Sequence, residues 1–139
     1  MMLLPGSLKS DPKLLNPLTL AYMGDAVLEV YVRQHLIAKK AAKPHLLHKL
    51  ATRYVSAKAQ SGALMRLQEE LTEDEQWMVK RGRNTKSGTI PKNADIMEYR
   101  NSSGFECLLG YLYLIGNQER LESIIAMMFT IIEEGDRRE

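Results

Sequence analysis

Residues 18–37, LTLAYMGDAVLEVYVRQHLI, constrain the chain more than any other stretch. Leu20, Met23, Val27, Val30 and Tyr31 recur at helical spacing on one side, and Leu18, Tyr22, Leu28, Val32 and Leu36 cover much of the rest. A helix apolar over most of its circumference belongs at the centre of a helical fold. Asp25 interrupts the apolar run directly after Gly24. A carboxylate on a buried helix costs free energy unless it is paired or holds a cation. A mid-helix glycine costs about 1 kcal/mol relative to alanine. Two such penalties side by side mark a position where something approaches the backbone and negative charge is needed. The plain alternative is an ion pair between Asp25 and a lysine or arginine distant in sequence.

The remaining segments also read as helices. Asn16-Pro17 supplies a cap and a first-turn proline for the central helix, which is expected to reach about Ala38 with Glu29 paired to Arg33. Lys43-Pro44 opens a second helix with a break near Ala51, and Met65 to Leu71 is helical. Thr72 and the acids after it open another, with Trp77, Met78 and Val79 on its buried side. Residues 80–95, KRGRNTKSGTIPKNAD, read as the one long loop, and loops of that length are usually functional or disordered. A short helix at 95–100 follows, and Asn101, Ser102 and Ser103 offer caps for a helix over GFECLLGYLYLIG. That helix repeats the opening pattern, with Glu106 inside an apolar run and Gly110 one turn on. Residues 118–134 form a last amphipathic helix with a stripe of Leu121, Ile124, Ile125, Met128, Ile131 and Ile132. No segment sustains two-residue alternation, so the expected class is all-α. One domain is expected over 16–134, between a loosely ordered lead-in at 1–15 and a frayed tail at 135–139.

A chain of 139 residues is about one domain. No apolar run is long enough to span a bilayer, and MMLLPGSLKSDPK has no signal-peptide pattern, so no membrane and a cytoplasmic location are expected. The single cysteine, Cys107, excludes an internal disulfide and reads as inert core among Phe105, Leu108 and Leu109. His45 and His48 have no further ligands nearby and read as surface residues. The net charge of +2 conceals a local concentration. Lys80, Arg81, Arg83, Lys86 and Lys92 lie within 80–92 without an acid, so that window carries +5 and the rest of the chain −3. With Asn84 among them, these residues form a candidate phosphate-binding segment.

Asp25 and Glu106 are far apart in sequence, and only the fold could unite them. If united, they offer hard oxygen ligands suited to Mg²⁺, with Mn²⁺ as a substitute. Such an ion activates water and stabilises charge on a phosphate, while the basic segment would hold a nucleic-acid backbone. The bland alternative is a locally paired Glu106 beside a merely solvated basic face.

These residues carry a family resemblance. Tyr22-Met23-Gly24-Asp25-Ala26-Val27-Leu28-Glu29 resembles the signature helix of the ribonuclease III family, and Phe105-Glu106-Cys107-Leu108-Leu109-Gly110 with Tyr111 to Leu114 is similar to its second metal-binding helix. Arg53-Tyr54-Val55-Ser56 resembles the intervening helix. The match spans most of residues 16–115, and the chain stops where a double-stranded-RNA-binding domain would follow, as in the short bacterial branch of that family. The resemblance implies an all-helical ribonuclease III endonuclease-domain bundle, a homodimer that cleaves both strands of duplex RNA with Mg²⁺. It assigns Asp25 and Glu106 as catalytic, metal-binding acids and Tyr22 as an aromatic knob entering the partner subunit. It further implies processing of large-subunit ribosomal RNA precursors, with a ribosomal protein as a candidate presenter of the substrate. Two positions depart from the pattern of larger members. Ala21 and Ser103 stand where they have acids, so four carboxylates are reduced to two and the ion's other contacts fall to water or substrate phosphate. A catalytically silent RNA-binding or ribosome-assembly module on the same scaffold is the second reading. A helical protein-interaction domain with a basic loop is the third.

Overall fold

The computed structural model describes residues 8–39, 43–85, 90 and 92–138, and among these every regular element is helical. Asn16 caps α1 (Pro17–Ala38) by accepting the Leu18 N–H at 2.8 Å, with Pro17 at the first helical position. Pro44 opens α2 (Pro44–Val55). The break that separates it from α3 (Ala57–Leu67) falls at Ser56, not near Ala51, which is buried within α2. Ser56 adopts an extended conformation, and its side chain accepts the Ala59 N–H at 3.1 Å, so it ends one helix and caps the next. A 3₁₀ turn at Gln68–Glu70 leads to α4 (Glu73–Asn84), which opens with a reciprocal capping box between Thr72 and Glu75.

Two segments read as irregular are helical instead. α4 continues to Asn84, so Lys80, Arg81, Arg83 and Asn84 stand on its last turns and only the following residues form the connection. α5 runs unbroken over Ile96–Leu114. Asp95 caps it, and the polar residues expected to be caps lie inside it. Asn101 there donates to Ser61 on α3 at 2.9 Å, and Ser102 donates back to the Tyr99 carbonyl at 2.8 Å. These bonds satisfy the polar groups that local sequence makes look terminal. α6 (Gln118–Arg138) extends beyond the expected end at 134.

α5 is the hub, packed against α1, α3 and α4. Phe105, Leu108, Leu109 and Leu112 on α5 meet Leu20, Leu28 and Val32 on α1, Leu64 and Leu67 on α3 and Met78 on α4 in one core. α6 closes it with Leu121, Ile124, Ile125 and Met128, whereas Ile131 and Ile132 are only half-buried. Trp77, expected on the buried side of α4, is 45% exposed with Lys13 and Arg81 over its ring. Cys107 is buried, and burial pushes its thiol up to about 12, consistent with an unreactive core residue. No helix among the described residues is long and apolar enough to cross a membrane.

A candidate active site at a helix crossing

The crossing of α1 and α5 is made by glycines. A Cβ built on Gly24 would overlap the Glu106 carbonyl, and one built on Gly110 would overlap the Leu20 carbonyl. The backbone approach that Gly24 foretold is therefore that of α5 itself. Because each glycine lies beside or one turn from an acid, the same close contact brings Asp25 and Glu106 together. Their side chains are near enough to hydrogen-bond.

Asp25 is exposed rather than buried, whereas Glu106 is half-buried. Burial, followed by the neighbouring Asp25 carboxylate, raises the Glu106 carboxyl well above the usual range, while a hydrogen bond from Gln60 pulls it down. The alternative of a structural ion pair is not what is seen. No described lysine or arginine pairs with either acid. Ala21 and Ser103 are both half-buried on the same helices, and among the described residues no third acid, histidine or cysteine completes a cluster.

Gln60 is the site residue that the sequence reading missed. It is 1% exposed on α3, and its Nε2 donates to Glu106 Oε2 at 3.1 Å and to the Val55 carbonyl at 2.9 Å. Among the described residues its buried Oε1 has no hydrogen-bond partner. The available signal was a polar residue on the face shared with Ala63, Leu64 and Leu67, the same kind of anomaly that marked Asp25. Two adjacent carboxylates and a buried amide oxygen are a hard oxygen donor set that fits Mg²⁺ or Mn²⁺. Asp25 and Glu106 would be the direct ligands.

The basic segment divides by location. Lys80 is exposed on α4, and Lys92 is exposed at the turn before Asn93, which adopts a φ of 71°. Arg81 is already engaged. Its guanidinium donates to the Lys13 and Leu15 carbonyls at 2.8 and 3.1 Å and lies 4.9 Å from the Trp77 ring centroid, tying the lead-in to α4. Residues 8–15 accordingly include a 3₁₀ turn at Pro12–Leu14. Arg83 and Asn84 line a cleft of about 540 Å³ with Tyr99, Arg100 and Ser103. Ser103 is one turn before Glu106, so this cleft adjoins the acids. Lys86 lies outside the described residues. Tyr22 is 81% exposed, on a stripe of α1 that continues through Leu18, Ala26 and Val30.

Residues 18–117 match the Ribonuclease III domain family. The chain is 55% identical over 126 residues to a Mini-ribonuclease 3 of Brevibacillus brevis, covering 91% of this chain and 94% of that one. It is 50% identical over 124 residues to a Mini-ribonuclease 3 of Staphylococcus aureus, covering 88% and 92%. A crystal structure of a protein from Fusobacterium nucleatum superposes with a TM-score of 0.78 at 28% identity, over 88% of this chain and 98% of that one.

Proposed function

The chain belongs to the ribonuclease III family, and from that premise we propose that it is a Mg²⁺-dependent endoribonuclease for duplex RNA, with Asp25 and Glu106 as its metal-binding catalytic acids. The observation that carries this reading is the meeting of those two carboxylates, with no described lysine or arginine paired to either, at a crossing built from Gly24 and Gly110. Two carboxylates side by side cannot both ionise without cost, so one holds its proton more tightly unless a positive charge joins them. When bound, the divalent ion supplies an activated water and charge stabilisation at the scissile phosphate.

The chain's own residues provide the geometry. Exposed Asp25 faces incoming substrate, and Glu106 is held from behind by Gln60. Lys80, Arg83, Asn84, Lys86 and Lys92 hold phosphates of the substrate, an electrostatic role that gives duplex binding with modest sequence preference. Arg81, occupied by carbonyls of the lead-in, supports that surface rather than contacting RNA. The exposed stripe of α1 around Tyr22 is the seam of a two-fold homodimer. The substrate we propose is a large-subunit ribosomal RNA precursor in the cytoplasm, presented with a ribosomal protein.

Incubating the purified protein with duplex RNA, and with either strand alone, tests the reading. Cleavage of both strands of the duplex with Mg²⁺, and none with chelator, is expected. Tight binding without cleavage would favour a silent RNA-binding module, the reading that Ala21 and Ser103 make worth testing. No binding at all would favour a protein-interaction domain.

A further inference from the structure

Gln60 lies on a face of α3 whose other members, Ala63, Leu64 and Leu67, are apolar core. Leucine or methionine would fill that position without desolvating an amide. We infer that Gln60 is a positioning residue of the cation site, its amide fixing the Glu106 side chain and its free oxygen extending the donor face presented by Asp25 and Glu106. The inference rests on the Mg²⁺ reading above.

The helix break at Ser56 shows how the amide is held. In a continuous helix the Ala59 N–H would bond the Val55 carbonyl. Here the Ser56 hydroxyl accepts that N–H at 3.1 Å, and the released Val55 carbonyl accepts from Gln60 Nε2 at 2.9 Å. A carbonyl can only accept, so turning the amide over would set two oxygens against each other. The NH₂ end is thereby locked toward Glu106, where its second hydrogen bond reaches Oε2 at 3.1 Å. One oxygen of Glu106 is held by α3, and the carboxylate keeps the orientation that meets Asp25.

The other end of the amide is a separate observation. Among the described residues Oε1 is a buried acceptor with no protein partner, and buried polar atoms in folded proteins nearly always find one. A cation, or a water in its hydration shell, is the partner that this oxygen suits, because hard divalent ions recruit neutral amide oxygens alongside carboxylates.

The test compares wild type with Gln60→Met, which keeps length and removes both polar atoms, and with Gln60→Asn, which keeps the amide but withdraws it from Glu106. Mn²⁺ binding to the metal-free protein without RNA is read from the free-ion electron paramagnetic resonance signal, and melting is followed in chelator. Both variants are expected to melt within a few degrees of wild type, to bind Mn²⁺ at least tenfold more weakly, and to regain cleavage as Mg²⁺ is raised. Mn²⁺ affinity within twofold of wild type in a folded variant would overturn the inference. If Gln60→Met fails to fold, Gln60→Asn decides by the same criterion. Asp25→Asn separates the role of Gln60 from the cation site itself. Wild-type Mn²⁺ binding that Asp25→Asn weakens and the Gln60 variants do not would remove the role of Gln60 alone. Binding that Asp25→Asn leaves unchanged would remove the cation site, and Gln60's role with it.

Discussion

Glu106 sits where its own charge is unwelcome. Burial, and then Asp25 beside it, raise its carboxyl above the ordinary range. The folded state therefore holds that proton more tightly than the unfolded chain, and stability is lost as pH rises from the ordinary carboxylate range through the raised value. Glu106→Gln keeps the acceptor for Gln60 and removes the charge. In chelator at pH 8 it should melt a few degrees above wild type, with the gain vanishing near pH 4; a lower melting point than wild type at pH 8 would contradict this. Glu133 shows the opposite design. Burial pushes its carboxyl up, but hydrogen bonds from His35, Lys39 and Tyr54 outweigh it and hold the group down to about 2. Its contribution is complete above the ordinary carboxylate range and is lost as pH falls toward 2. One acid clamps α6 to α1 and α2, while the other carries an unfavourable charge, as functional sites often do.

At the scale of elements, the glycines separate packing from propensity. Gly24→Ala drives a methyl group into the backbone of α5 and should cost about 3 kcal/mol or more, with cleavage lost as the acids are pushed apart. Gly62 lies exposed inside α3 with nothing near a built Cβ, so Gly62→Ala should stabilise by about 0.5–1 kcal/mol. Denaturant melts of both variants check the pair, and equal effects would show that the crossing is not what Gly24 serves. Much of this was legible in sequence. Asn16-Pro17 and Thr72 carry their own start signals, and Gly24-Asp25 and Glu106 with Gly110 stood out because each costs free energy where it stands. What sequence hid was the identity of partners. Asn101 and Ser102 look like caps until Ser61 and the Tyr99 carbonyl appear beside them. Arg81, read as a phosphate contact, also gives two of its donors to the Lys13 and Leu15 carbonyls. Gln60 stands out only as a polar residue on an apolar face, and its partner Glu106 is not legible from sequence.

For the whole molecule, α1 presents Leu18, Tyr22 and Val30 at 37%, 81% and 57% exposure along one stripe beside Asp25. The proposed dimer would pair this stripe with its copy about a two-fold axis, with one proposed cation site at each margin of the seam. Sedimentation should find a dimer at micromolar concentration; a monomer with full nuclease activity would contradict the seam. The proposal at the centre is narrower: the two acids united at the glycine-built crossing would hold a divalent ion for RNA cleavage. Its most direct measurement is single-turnover cleavage of duplex RNA at saturating protein by wild type, Asp25→Asn and Glu106→Gln, with binding followed in parallel. Loss of several kcal/mol of metal-supplied stabilisation should slow both variants by about a thousandfold or more, with duplex binding retained and partial recovery of Glu106→Gln at high Mn²⁺. Cleavage by Asp25→Asn at the wild-type rate would contradict the account.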